Sequence, residues 1–68
     1  MMPLEETRVL RYLRTHPFST VDEIARACVP AASREEATRI LWELEWLGYV
    51  VRYGQDAVQI TQKGKSAS

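Results

Sequence analysis

The sequence predicts a mainly α-helical domain in which three helices are followed by a short β-hairpin. Three observations lead to this fold class. Apolar residues recur with a helical period in three segments, and two of these segments begin with a capping pattern of Ser or Thr and, three residues later, Glu. After Gly48 the apolar period changes from about 3.6 to 2. Because 68 residues provide one small core, we expect residues 1–68 to form a single domain with a frayed tail at Ser66–Ser68.

The composition is that of an ordinary globular protein. Hydrophobic residues make up 46% of the chain and charged residues 26%, as in typical globular domains. Nine basic residues balance nine acidic ones, whereas a dedicated nucleic-acid-binding domain usually has a basic surplus. No apolar run approaches the ~20 residues of a membrane-spanning helix, and no signal peptide precedes the first helix. We therefore expect a cytoplasmic protein that does not enter the membrane.

The first helix is predicted from Leu4 to Thr15. Its buried stripe consists of Val9, Leu10 and Leu13. Pro3 suits the first turn of a helix, and the helix ends at His16 because a residue that precedes a proline is disfavoured in helical geometry. Phe18 follows in an extended segment, and we expect its ring to fill the core.

The second helix is short, from Val21 to about Cys28. Thr20 and Glu23 form a capping box at its start. The residues expected to face inward are Val21, Ile24 and Cys28. Cys28 is the one cysteine of the chain, so neither an internal disulfide nor a thiolate metal cluster is expected. Pro30 prevents the helix from continuing.

The third helix is predicted within the stretch from Ser33 to Leu47. Ser33 and Glu36 form a second capping box, and Gly48 provides the left-handed residue that commonly closes a helix. The predicted core face consists of Ala37, Ile40, Leu41, Leu44 and Leu47.

Two tryptophans project from the opposite face of this third helix. Trp42 and Trp46 are four residues apart, so they are neighbours on the helix surface. Either another segment of the chain covers them, or they form a surface that binds another molecule. Tyr12 also points away from the core stripe of its own helix, and Trp and Tyr are favoured as interface anchors. We predict a protein interface at Tyr12, Trp42 and Trp46, including the case of a homodimer.

The hairpin is predicted from two β-rich runs, Tyr49–Tyr53 and Ala57–Thr61, with a glycine-containing loop of three residues between them. The remaining residues, Gln62 to Ser68, are polar and small. We expect this C-terminal segment to fray, with a last helical turn at its start as the alternative.

The order of these elements resembles the winged helix-turn-helix family, and three motifs agree with it. Val21–Ala25 is similar to the start of the positioning helix of that family. Leu44–Val50 is similar to the passage from the recognition helix into the wing. Ile60–Gly64 is similar to the end of the wing in MarR-type and PadR-type regulators. The resemblance extends over residues 4–64 and implies a three-helix bundle with a two-stranded wing.

The resemblance also implies a transcriptional regulator that binds duplex DNA with its third helix in the major groove. Carried over by position, it assigns Ser33, Arg34, Thr38 and Arg39 to the groove. It assigns Arg52, Gln55 and Lys63 to the DNA backbone. The third helix nevertheless has four glutamates against two arginines and has tryptophans where such regulators commonly have polar residues. The alternative is a winged helix that docks onto another protein without reading DNA.

The sequence has no pattern that is typical of an active site. There is no pair of carboxylates with catalytic spacing, no nucleophile with a base, no glycine-rich phosphate loop and no metal-binding motif. We therefore expect no enzymatic activity, no cofactor and no metal.

Overall fold

A computed structural model describes residues 4–29 and 33–67. The elements in these ranges are α1 (Leu4–Thr15), β1 (Phe18–Thr20), α2 (Val21–Cys28), α3 (Arg34–Trp46), β2 (Val50–Tyr53), β3 (Ala57–Ile60) and α4 (Gln62–Ala67). The described part of the chain is thus mainly helical with one small antiparallel sheet, as the sequence predicts. The roles predicted for Pro3, Pro30 and Ser68 lie outside the described residues. None of these helices is both long enough and apolar enough to cross a membrane.

Side chains at the helix starts fix where α2 and α3 begin. The hydroxyl of Thr20 accepts a hydrogen bond from the amide of Glu23, whose carboxylate accepts one from the amide of Thr20, so the first predicted capping box is confirmed. These hydrogen bonds also lower the pKa of Glu23. At α3, the hydroxyl of Ser33 accepts from the amide of Glu36 at 3.3 Å. The carboxylate of Glu36 binds Arg39 instead of returning to Ser33, so the second predicted box forms only its first half.

A glycine turn ends α3. Gly48 has a φ of +83°, a left-handed conformation that only glycine adopts at little cost. The amide of Tyr49 then donates to the carbonyl of Leu44 at 2.9 Å, which closes the helix as predicted. The prediction for Leu47 is wrong: this residue follows the last helical residue and is 41% exposed.

One core lies between the helices and the inner face of the sheet. Its buried hydrophobic residues are Val9, Leu10, Leu13, Val21, Ile24, Ala25, Cys28, Val29, Ala37, Ile40, Leu41, Leu44, Val50, Val58 and Ile60. The large side chains that the sequence places at the centre are each at most 2% exposed: Leu10, Leu13, Ile24, Ile40, Leu41 and Leu44. Burial also raises the pKa of the Cys28 thiol, which suits its predicted role as a small core residue.

The sheet contains three antiparallel strands in the order β1-β3-β2 among the described residues. The sequence predicts the β2–β3 hairpin but not the pairing of β1, which places Ser19 opposite Val58. Because adjacent residues of a strand face opposite sides, burying Ser19 turns Phe18 outward. Phe18 is 61% exposed, so its predicted place in the core is wrong.

The C-terminal segment forms α4 instead of fraying, so that prediction is wrong for Gln62–Ala67. The hydroxyl of Thr61 accepts a hydrogen bond from the amide of Gly64 and donates one to the carbonyl of Gly48. Gly64 is buried against the backbone of Tyr49, where an added Cβ would lie 2.2 Å from the Tyr49 carbonyl oxygen. The absence of a side chain at Gly64 therefore allows α4 to pack onto the chain that leaves α3.

Candidate functional site

The outer face of α3 contains half of the residues that the sequence proposes for binding. Its first half carries Arg34, Thr38 and Arg39, and its second half carries Trp42 and Trp46. We define the ion-pair surface as Arg34 and Arg39 with their carboxylate partners. We define the tryptophan surface as Trp42, Glu43, Trp46 and Leu47, which line one cleft.

Arg34 joins three parts of the chain. Its guanidinium lies 2.6 Å from the carboxylate of Asp22 in α2 and 2.5 Å from that of Asp56 in the β2–β3 turn. Hydrogen bonds to Asp56 and Asp22 raise the pKa of Arg34. The backbone carbonyl of Asp56 also accepts a hydrogen bond from the amide of Val21 at 2.9 Å. Arg34 therefore links the start of α3 to α2 and to the turn of the hairpin.

The other residues predicted to enter a DNA groove also contact their own chain. The Arg39 guanidinium donates to the Glu36 carboxylate, and this ion pair lowers the pKa of Glu36. Arg39 also lies 3.9 Å from the carboxylate of Glu43. The Thr38 hydroxyl donates to the backbone carbonyl of Arg34 at 2.8 Å. Arg34, Thr38 and Arg39 thus each direct their polar groups toward partners within the chain.

The residues predicted to contact the DNA backbone lie in two places. Arg52 donates to the backbone carbonyl of Gln55 at 3.2 Å, so these two residues meet at the hairpin. Lys63 lies on α4, and its ammonium is 5.6 Å from the centre of the Tyr49 ring, a distance that allows a cation–π interaction. The structure brings Arg52 and Gln55 together and places Lys63 elsewhere.

The second half of α3 has a different surface. Trp42 is 64% exposed and Trp46 is 89% exposed. Together with Glu43 and Leu47 they line an open cleft of about 470 Å³. No segment within residues 4–29 and 33–67 covers these indoles, so the reading in which another part of the described chain buries them does not hold.

A buried carboxyl lies beside this cleft. Glu6 in α1 is only 5% exposed, and its carboxyl lies beside that of Glu43. Burial, and then the contact with Glu43, raises the pKa of Glu6, although nearby Arg39 acts in the opposite direction. A carboxyl that keeps its proton can donate to the Glu43 carboxylate. Glu6 was not among the residues predicted to be buried, but its helical spacing from the buried residues Val9 and Leu13 was a usable signal.

Tyr12 does not join the tryptophans. Its ring stacks on His16, with ring centroids 4.3 Å apart, and the residue packs partly against the core. The His16 ring nitrogen Nδ1 lies within hydrogen-bond distance of the Tyr12 carbonyl and the Thr15 hydroxyl. The three aromatic residues predicted to form one interface are therefore separated into the tryptophan surface and a local stack at the end of α1.

A second aromatic pair lies on the outer face of the sheet and was missed by the sequence analysis. The rings of Phe18 and Tyr53 stack with centroids 5.5 Å apart. Val51 on the same face is 41% exposed. The alternation of strand residues in β1 and β2 was the signal for this outward orientation.

Neither metal-binding geometry nor similarity to known proteins indicates what this site binds. Among the residues that the structure describes, no group of three or more His, Cys, Asp or Glu side chains is arranged to hold a metal ion. Comparison of the chain with family models, curated proteins and solved structures finds no match.

Proposed function

We propose that this chain is a protein-interaction module with a winged-helix frame, and that it binds its partner through the tryptophan surface. The exposure of Trp42 and Trp46 side by side carries this proposal. Covering both indoles would remove roughly 200–400 Å² of aromatic surface from water. That burial is worth roughly 5–10 kcal/mol before the cost of association is subtracted. Tryptophan is also among the residues most enriched at the energetic centres of interfaces.

The charges of α3 support a protein partner over DNA. Two arginines face four glutamates between Arg34 and Trp46, and both arginines already bind carboxylates. Affinity for DNA comes largely from cations that neutralise phosphates. A helix with an acidic excess and paired arginines offers few such cations.

DNA binding in transcription regulation is the second candidate. The side chains of Arg34 and Arg39 remain 50% and 57% exposed in their ion pairs, so a phosphate or base can reach them by displacing a carboxylate. In this reading Ser33, Arg34, Thr38 and Arg39 contact the groove. Arg52, Gln55 and Lys63 then contact the backbone. Asp22 and Asp56 would lie close to phosphate groups, which lowers the expected affinity.

One paired experiment separates the two functions. The immobilised parent and the double variant Trp42→Ala, Trp46→Ala are used to capture proteins from a lysate of the source organism, with quantitative mass spectrometry as the readout. The same proteins are tested for retention of pooled duplex DNA at low salt. We expect one or a few captured proteins to be lost with the double variant, and no retained DNA.

The variant Arg39→Ala serves as the matched test of the DNA function. DNA that is retained by the parent, retained by the double tryptophan variant and lost with Arg39→Ala would contradict the proposed function. Light scattering on the parent shows whether the captured partner is a second copy of the chain, since a homodimer through the tryptophan surface would dissociate in the double variant.

A further inference from the structure

The residues that line the cleft also indicate which kind of side chain would bind in it. We infer that the cleft lined by Trp42, Glu43, Trp46 and Leu47 binds a cationic side chain, an arginine or a lysine, presented by a separate partner protein. This inference rests on the proposed function, because it names the anchor through which the partner would dock.

The lining of the cleft combines the two groups that bind a desolvated cation best. Indole is the strongest of the aromatic partners in cation–π interactions, and two indoles are present four residues apart on one helix. Glu43 lines the same cleft, and its side chain is 53% exposed. A guanidinium placed there would meet an aromatic face and an anion, and its alkyl stem would pack along Leu47.

The Glu43 carboxylate is exposed enough to accept a further partner beside its contacts with Glu6 and Arg39. Arg39 is the described cation that contacts Glu43, at 3.9 Å, and its guanidinium is bound more closely by Glu36. Glu5, in α1, lies near enough to act on Arg39. Glu45 adds a further negative charge on the exposed side of α3. The cleft therefore lies in an acidic surrounding that complements a cation.

The same charges argue against other occupants. An anionic partner would be repelled by Glu43. Two copies that paired through this surface by a twofold axis would bring the glutamates of both α3 helices together, which is unfavourable for like charges. An uncharged apolar partner would leave Glu43 partly desolvated without a counter-ion. A partner with an arginine or lysine satisfies both the indoles and the carboxylate.

Two matched peptides test the charge requirement. The probes are acetyl-Leu-Arg-Leu-amide and its citrulline counterpart, which keeps the shape of the arginine and removes its charge. Both tryptophans of the chain lie on this surface, so intrinsic fluorescence and the two indole N–H signals in NMR report directly on binding. We expect the arginine peptide to bind about tenfold more tightly than the citrulline peptide, from cation–π and carboxylate contacts together.

Single-site variants identify the groups that recognise the cation. Glu43→Gln should remove most of the preference for arginine while binding of the citrulline peptide stays unchanged. Glu45→Gln, on the same helix but outside the cleft lining, should keep the preference. Trp42→Ala with Trp46→Ala should abolish binding of both peptides, as followed by NMR of backbone amides.

Several results would overturn the inference. Equal affinity for the two peptides would exclude a cation requirement and leave the proposed docking function standing. No binding of either peptide at millimolar concentration would exclude the cleft as the site. Arg11 is an exposed cation of α1. A parent dimer that is lost in both Glu43→Gln and Arg11→Gln would identify the occupant as α1 of a second copy instead of a separate protein.

Discussion

The two halves of α3 share one inner stripe and differ completely on the outside. In the first half, Arg34 and Arg39 point outward and bind carboxylates of the same chain. In the second half, Trp42 and Trp46 point outward and remain 64% and 89% exposed. The arginines of the first half are paired with carboxylates of the same domain, whereas the two indoles of the second half remain in contact with water.

This difference separates residues that stabilise the fold from residues that do not, along a single helix. The inner stripe accounts for the packing of both halves, since Ala37 and Leu44 are equally buried. Exposed ion pairs contribute little to stability because water and salt screen them. Exposed indoles contribute little to folding because they bury little surface. The tryptophans therefore have no role in folding that would explain them, which supports the binding role proposed above.

The largest expected effect is on stability, and it comes from comparing an inward-facing with an outward-facing residue in the second half of α3. Leu44→Ala removes a side chain with no exposed surface and should lower the free energy of unfolding by ~2–5 kcal/mol. Trp46→Ala, half a turn away, should change it by less than ~0.5 kcal/mol. Urea denaturation followed by circular dichroism measures both. A Trp46→Ala loss comparable to that of Leu44→Ala would mean that the indole belongs to the core.

The next effect concerns the segment that anchors the end of α3. Gly64→Ala places a Cβ 2.2 Å from the carbonyl oxygen of Tyr49, so α4 must move away. We expect a loss of ~1–3 kcal/mol, the usual cost of overpacking. Ser66→Ala, at an exposed position of the same helix, is the matched control and should change stability by less than ~0.5 kcal/mol. Equal thermal midpoints for the two variants would show that α4 does not pack on this backbone.

Leu44 and Gly64 show which parts of the fold can be predicted from the sequence. The helix that contains Leu44 is predictable because its cap, its apolar period and Gly48 are all local signals. The helix that contains Gly64 is not, because residues Gln62–Ala67 offer no apolar stripe. That helix forms through its packing on Tyr49 and through capping by Thr61, which are contacts between segments that only the fold brings together.

In the candidate site, too, local features can be predicted from the sequence and contacts between distant segments cannot. The outward direction of Trp42 and Trp46 follows from helical spacing, and the structure confirms their exposure. The partners of Arg34 do not follow from spacing, because Asp22 and Asp56 lie 12 and 22 residues away in the chain. Phe18 was misplaced because a large apolar side chain suggests burial, while the register of β1 against β3 buries Ser19 instead.

A smaller effect links the tryptophan surface to pH. The pKa of Glu6 is raised in the folded protein by burial and by Glu43, so ionising Glu6 costs more in the folded state than in the unfolded state. This penalty is absent in acid, and it appears as the pH rises through the ordinary carboxyl range. Glu6→Gln keeps a hydrogen-bond donor toward Glu43 without the charge.

Glu6→Gln should therefore raise the thermal midpoint at pH 7, and the gain should shrink toward zero at pH ~3.5, where both Glu6 and its unfolded reference are protonated. Glu45→Gln, at an exposed position of α3, is the matched control for the removal of one carboxylate. Differential scanning calorimetry at the two pH values measures the shifts. A gain that is equal at both pH values would contradict the assignment of a raised pKa to Glu6.

The smallest expected effect tests the ion-pair surface. Arg34→Ala removes both ion pairs of Arg34, yet its guanidinium and both carboxylates are at least half exposed, so the urea midpoint should fall only slightly. The fall should vanish at about 1 M salt, where the screening length is ~3 Å. A double-mutant cycle with Asp56→Ala isolates the contact between α3 and the hairpin turn from the one with Asp22. A large coupling that persists at high salt would show that Arg34 fixes the hairpin in place. The first half of α3 would then be essential to the fold. The two halves would differ because the ion pairs of the first half hold the structure together, whereas the exposed indoles of the second half do not.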